Sequence, residues 1–226
     1  MRVPSIAAVE KLHRKLVYGR RVRILADRIL ENLPKEARVL DVGCGDGMID
    51  VVIEAKRRDV SIRGIDVLVR PDTHIAVTKF DGTVFPFPDN SFDIVMFVDV
   101  LHHTDDPMTL LREAVRVARK AVVIKDHTMN GALAYATLWF MDWVGNARKL
   151  VGIPCNYWPE QRWRDAFEAL GLRIDAWMPR LGLYPWPFSM IFERRLHFVA
   201  RVVPAQDDRD NQADSLPAFA SKSRQV

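Results

Sequence analysis

The sequence predicts an open α/β fold on a doubly wound, mostly parallel sheet. Three observations carry that expectation. A short aliphatic run at 38–42 ends in a cluster of glycines, and strand-like runs then alternate with helix-like periods as far as residue 125. The length of 226 residues with 49% hydrophobic content is enough for one large core.

Residues 5–33 set Val9, Leu12, Leu16, Val22, Leu25, Ile29 and Leu33 at three- and four-residue steps before Pro34, the period of an amphipathic helix that Gly19 kinks or divides. Residues 38–42 read as a buried strand, 48–57 as a helix and 61–66 as a second strand. Pro71 argues against a helix over 67–74, so the third strand, at 75–80, follows after an unusually brief connection. A parallel crossover ordinarily takes a dozen residues or more, and the wall on that side should be thin. Pro86, Pro88 and Asn90 mark a loop, 92–98 a strand, and 107–117 a helix that Asp105 and Asp106 cap ahead of Pro107. A fifth strand is expected at 121–125. Beyond Asp126 the pattern loosens into an aromatic segment up to about residue 158. A helix at 160–170, closed by Gly171, and strands at 172–177 and 196–203 complete the fold. The organisation expected is an N-terminal helical cap (1–35), a main domain (36–203) with a helical and aromatic insertion at 127–158 after the fifth strand, and a disordered Asp-, Gln- and Ser-rich tail (204–226).

The net charge of +4 comes largely from Lys11, Arg14, Lys15, Arg20, Arg21, Arg23 and Arg28. Such a cluster suits nucleic acid or anionic lipid, and equally a solvated helix face. Cys44 and Cys155 stand too far apart in the sequence to suggest a disulfide framework or a zinc site, so no metal is expected and a reducing compartment is. There is no leader-like apolar segment, and the longest apolar stretch, 132–144, contains Asp142 and is too short to span a bilayer. A cytoplasmic location is expected, with contact at a membrane surface left open.

The chemistry begins in Val39-Leu40-Asp41-Val42-Gly43-Cys44-Gly45-Asp46-Gly47. Glycines between a strand and a helix let a ligand approach the backbone and aim free N–H groups and the helix dipole at it. G-x-G-x-G alone also suits a dinucleotide pyrophosphate. Asp66 follows twenty-five residues after Asp41 at the end of the second strand, where a carboxylate can accept both ribose hydroxyls. The third glycine comes one residue too early for the dinucleotide fingerprint, which counts against a nicotinamide or flavin enzyme.

With Phe80-Asp81-Gly82, the run Phe85-Pro86-Phe87-Pro88-Asp89-Asn90-Ser91-Phe92-Asp93 and Val100-Leu101-His102-His103, residues 36–126 resemble the class I S-adenosylmethionine-dependent methyltransferases. The likeness is to the type 11 group around ubiquinone and menaquinone biosynthesis. The resemblance implies a Rossmann-like sheet of seven mostly parallel strands with one antiparallel final strand. It also implies S-adenosylmethionine as cofactor. Gly43 and Gly45 would pass the methionine moiety close to the backbone, and Asp41 would orient its ammonium. Asp66 would hold the ribose diol with Val67 beside the adenine, Asp81 and Gly82 would meet the adenine edge, and Val98 would floor the site under the methyl donor.

A methyl acceptor that is a hydroxyl or an acidic carbon must lose a proton, and histidine is suited to take it. His103, His127 and Asp126 are the candidates at the ends of the fourth and fifth strands; the His102-His103 pair equally suits fixing a loop by hydrogen bonds. Tyr135, Trp139, Phe140, Met141, Trp143, Tyr157, Trp158 and Trp163 make the later segment dense in large apolar side chains. They predict a pocket for a small lipophilic or aromatic acceptor methylated on oxygen or carbon, or else ordinary packing or a membrane-docking face. A methyltransferase-like binding subunit without turnover is the alternative. A nucleic-acid enzyme is not expected, because Val98-Asp99-Val100-Leu101 stands where such enzymes carry an Asn-Pro-Pro-Tyr-type sequence. A monomer or a homodimer fits.

Overall fold

The computed structural model describes residues 19–146 and 155–205. The basic and apolar positions expected before Gly19, the segment 147–154, the side chain of Trp143 and the tail from 206 lie outside the described residues.

Seven strands form one sheet: β1 (Arg38–Val42), β2 (Ser61–Asp66), β3 (Val77–Lys79), β4 (Phe92–Val98), β5 (Ala118–His127), β6 (Leu172–Met178) and β7 (His197–Pro204). Their order is β3-β2-β1-β4-β5-β7-β6. The pairs from β3 to β5 are parallel, and β7 alone runs antiparallel, to both β5 and β6. The chain steps outward from β1 to β3, then returns to start β4 on the other side of β1. That reversal opens a crevice beyond the carboxyl ends of β1 and β4, the usual ligand position in open α/β sheets.

Strand composition explains the layers. β4 reads Phe-Asp-Ile-Val-Met-Phe-Val and is buried up to its last residue, so both faces of the sheet need cover. Alternate residues serve the two sides. On one, Val39, Ile62, Ile94, Met96 and Val123 meet Leu25, Ala26 and Ile29 of α1 (Gly19–Leu30) and Ile53 of α2 (Met48–Lys56). On the other, Leu40, Val42, Val95, Phe97, Val122 and Ile124 meet Leu110, Leu111, Ala114 and Val117 of α3 (Pro107–Val117). The same layer takes Trp163 and Phe167 of α5 (Glu160–Ala169). Each such aliphatic side chain contributes about 1.5–3 kcal/mol on burial. Asp106 caps α3 by accepting from the Met108 N–H at 3.0 Å, with Pro107 in the first turn.

Three elements differ from the expectation in ways that bear on the site. β3 is only three residues long, short of the 75–80 expected, while residues 67–76 contain no helix, in keeping with Pro71. β5 runs on to His127, which pairs with His197, so Asp126 and His127 belong to the sheet and not to a loop. The insertion after β5 is helical as expected, with α4 (Ala134–Asn146), whereas the short α6 (Ser189–Phe192) before β7 was not expected.

Candidate active site

The turn from β1 into α2 holds Gly43, Gly45 and Gly47 at φ of 73°, 62° and 76°. These are left-handed conformations that cost a side-chain-bearing residue about 1–2 kcal/mol. Space is as restrictive as conformation: a Cβ on Gly43 would lie 2.7 Å from Val100 Cγ2, and one on Gly47 2.6 Å from Ile75 Cγ1. The Gly45 N–H donates to Asp66 Oδ2 at 2.9 Å, and the Leu68 N–H donates to Asp66 Oδ1 at 2.9 Å. Asp66 therefore fastens the glycine turn to the end of β2.

Val67 stands next to it, 52% exposed, and a Cβ on Gly82 would come 3.2 Å from Val67 Cγ1. The Asp66-Val67 and Asp81-Gly82 corners are thus neighbours. Asp81 is exposed; its Oδ1 accepts from the Val84 and Thr83 N–H groups at 2.9 and 2.8 Å, which holds the carboxyl below its ordinary range. Val98 ends β4, half-buried against the α1–α2 layer.

Beneath the turn lies a pair of buried acids. Asp41, on β1, and Asp50, on α2, are 3% and 0% exposed. Burial, with each other's proximity added, pushes Asp41 well above the ordinary carboxylate range, and burial raises Asp50 as well. Asp41 Oδ1 and both Asp50 oxygens find no hydrogen-bond donor among the described residues. Two carboxyls so placed hold protons that water would strip. Asp50 was not singled out from the sequence; its signal is an acid set within the apolar face of Met48-Ile49-Asp50-Val51-Val52-Ile53.

The other half of the crevice is built from charged side chains. After β4, a 3-10 turn over Leu101–His103 carries both histidines. Asp126, fully buried, accepts from His102 Nδ1 at 2.6 Å, from the His127 N–H at 2.7 Å and from the Leu101 N–H at 3.0 Å. It ties the turn after β4 to the last residues of β5. Burial works against charge on His102, yet Asp126 and then Asp142 outweigh it and push its pKa up to about 10. His103, half-buried, is brought down to about 4 by burial and by the neighbouring His102. His127 is driven well below its ordinary value by burial, Lys125 and His102.

His127 Nδ1 lies 3.3 Å from the Leu196 carbonyl oxygen, which assigns its proton there and turns the Nε2 lone pair inward, 3.5 Å from Asp99 Oδ1 and 3.9 Å from Asp142 Oδ1. Asp99 has a left-handed φ of 57° and pairs with both Lys125 and Arg21. Lys125 is 0% exposed, and with Arg21 it holds the Asp99 carboxyl well below the usual range against the effect of burial. Asp142, on α4, accepts from the Tyr157 hydroxyl. Arg21, Asp99, Lys125 and Asp142 were missed from the sequence. Only the polar pair Lys125-Asp126 at the end of an apolar strand hinted at them.

The aromatic segment divides. Tyr157, Trp158 and Trp163 are buried, and Trp163 Nε1 donates to the His127 carbonyl at 3.0 Å. Leu133, Tyr135, Trp139 and Phe140 are exposed, as are Trp186, Phe188, Met190 and Ile191 around α6. The Arg194 guanidinium joins the two groups by donating to Thr137 Oγ1 at 3.0 Å.

A family model described as a methyltransferase domain matches residues 13–176. Among curated proteins, the chain is 33% identical over 110 residues to the 27-O-demethylrifamycin SV methyltransferase of Amycolatopsis mediterranei, covering 42% of this chain and 40% of that protein. It is 30% identical over 139 residues to the 2-methyl-6-phytyl-1,4-hydroquinone methyltransferase of Synechocystis, covering 57% and 38%. The matched stretch therefore spans about two fifths of the length of these relatives. Among solved structures, the S-adenosylmethionine-dependent methyltransferase of Aquifex aeolicus superposes with a TM-score of 0.56 at 18% identity, over 85% of this chain and 96% of that one.

Proposed function

The chain belongs to the methyltransferase-domain family, and from that premise we propose that it transfers the methyl group of S-adenosylmethionine to a small lipophilic or aromatic acceptor, on oxygen or carbon. The observation that carries this reading is the fastening of the glycine turn to Asp66 through the Gly45 N–H. The residues present fit such a donor. At Gly43 a Cβ would strike the Val100 side chain, so the turn keeps its bare backbone, and Asp41 Oδ1 is a buried acceptor without a donor among the described residues.

The donor supplies an already activated methyl on a sulfonium. The chain's task is to bind, orient and exclude water. Gly43 and Gly45 admit the methionine end, Asp41 faces its ammonium, and Asp66 accepts from the ribose hydroxyls through lone pairs its two backbone donors leave over. Val67, Asp81 and Gly82 form the adenine edge, and Val98 lies below the reacting end. At the ends of β4 and β5, His103 and His127 are the proton acceptors an oxygen or carbon acceptor needs. Asp126, held by three donors, acts by positioning His102. The two relatives named above, whose names give a rifamycin and a hydroquinone as substrates, support an acceptor of aromatic character.

Calorimetry with S-adenosylmethionine and with NAD tests the reading: binding of the first and not the second is expected, and the reverse, or unchanged binding after Asp66→Ala, defeats it. His103→Gln and His127→Gln, assayed on phenolic and quinol acceptors, test the acceptor end. If both retain the parent kcat, neither takes the proton.

A second use of the surface has its own observation. The apolar side chains exposed on α4 and around α6 favour contact with a membrane from a cytoplasmic location. No helix among the described residues is long and apolar enough to cross one. Co-sedimentation with anionic vesicles at low and high salt distinguishes apolar docking from charge attraction.

A further inference from the structure

The histidine cluster contains groups that hydrogen bonding leaves unexplained. His102 is 1% exposed, and its Nε2 has no hydrogen-bond partner among the described residues; His103 Nδ1 is likewise buried and unpartnered. Leaving such a nitrogen unsatisfied costs about 1–3 kcal/mol. His102 Nε2 faces Asp142 Oδ2 at 3.4 Å, and one ligand atom each from His102, His103 and Asp142 lie within 4.8 Å of one another.

We propose that His102 Nε2, His103 Nδ1 and the Asp142 carboxylate bind a single divalent transition-metal ion at the ends of β4 and β5. Spacing supports it. Two ligands on a tetrahedral ion with bonds of about 2.0–2.1 Å lie roughly 3.4 Å apart, as His102 Nε2 and Asp142 do. The surroundings support it too. His102 gives its other ring nitrogen to Asp126 at 2.6 Å, the carboxylate–histidine arrangement that fixes a ligand's tautomer and raises its basicity. Tyr157 donates to the Asp142 carboxylate and fixes its orientation. Two imidazoles and one carboxylate suit zinc, iron, cobalt or nickel better than magnesium or calcium, which prefer all-oxygen sites.

Asp99, His102 and His127 form a second such group, but Asp99 is already neutralised by Lys125 and Arg21. It makes the poorer site. The ion's place beside the acceptor rests on the function proposed above, whereas its binding does not; with His103 a ligand, His127 remains to accept a proton.

The test uses the whole protein without a histidine tag, stripped with EDTA and titrated with Co2+, Zn2+ and Mg2+. Expected are one equivalent of Co2+ with visible d–d absorption, displacement by Zn2+ and indifference to Mg2+. Asp142→Asn and His102→Gln should abolish the absorption. Asp126→Asn should weaken binding about 10- to 100-fold, and His74→Ala, at an exposed histidine, should leave it unchanged. Circular dichroism confirms that each variant is folded. No Co2+ uptake, or uptake that survives Asp142→Asn, overturns the ion site and leaves His102 an imidazolium between two carboxylates. S-adenosylmethionine binding measured on the same metal-free sample separates failure here from failure of the donor reading.

Discussion

The two halves of the crevice are made of different materials. On the β1–β3 side the groups at the crevice are backbone: three glycines in left-handed conformations, with the Gly45 N–H held by one carboxylate, Asp66. On the β4–β5 side they are side chains, with Asp99, His102, Lys125, Asp126, His127 and Asp142 packed together and mostly out of water. Backbone needs room and the right dihedral angles. Buried charges need partners, and removing one strands the rest. The first half should therefore fail by losing its ligand, and the second by losing stability.

Asp126→Ala sharpens that contrast most. It leaves His102 Nδ1 and two backbone N–H groups without an acceptor, and a loss of about 3–5 kcal/mol in folding stability is expected by urea denaturation. Asp66→Ala, on the opposite side, should weaken S-adenosylmethionine binding about 10- to 100-fold, the equivalent of one charged hydrogen bond of about 1.5–3 kcal/mol. Its change in melting temperature should be small, and a melting loss as large as that of Asp126→Ala would break the comparison.

Asp50 is the exception on the β1–β3 side, a buried titratable group beneath the glycines. Both it and Asp41 are held above their unfolded values, so between about pH 4 and those raised values the folded chain binds more protons than the unfolded one. Stability from this pair is complete below about pH 4 and declines as the pH climbs. Asp50→Asn removes one titrating group and offers Asp41 Oδ1 a donor. It should raise stability by about 1–2 kcal/mol at pH 8 and by less at pH 5, and a pH-independent effect would refute the pairing. Smallest of all, Trp139→Ser should lower vesicle binding only a few-fold while leaving donor affinity untouched.

The same contrast decides how much the sequence disclosed. The seven strands and their covering helices were legible because each is a local pattern: β4 is a continuous apolar run, and Asp106-Pro107 announces α3. The glycine-turn corner was legible because Asp41 and the glycines adjoin in the chain, with Asp66 one strand later. The histidine corner was not. Arg21, Asp99, Asp142 and Tyr157 come from four distant segments, and only the placing of β4 beside β5 and β7 brings them to one spot. The end of β5 was read two residues short because His127 pairs with His197, seventy residues on, which no local pattern reveals. The aromatic segment misleads for a related reason: composition cannot tell Trp163, locked to the His127 carbonyl, from Trp139, half in water.

The connection over 67–76 has a further consequence, in time rather than in affinity. With no helix there, Val67 and Leu68 stand 52% and 68% exposed. On the reading proposed above, a purine resting against them would have one broad side open to solvent. After transfer the spent nucleoside has also lost the sulfonium charge, though not the ammonium that Asp41 would face. Departure of that by-product should then be quick, and the pace of the cycle falls to the enclosed end of the crevice, where the acceptor must enter and leave.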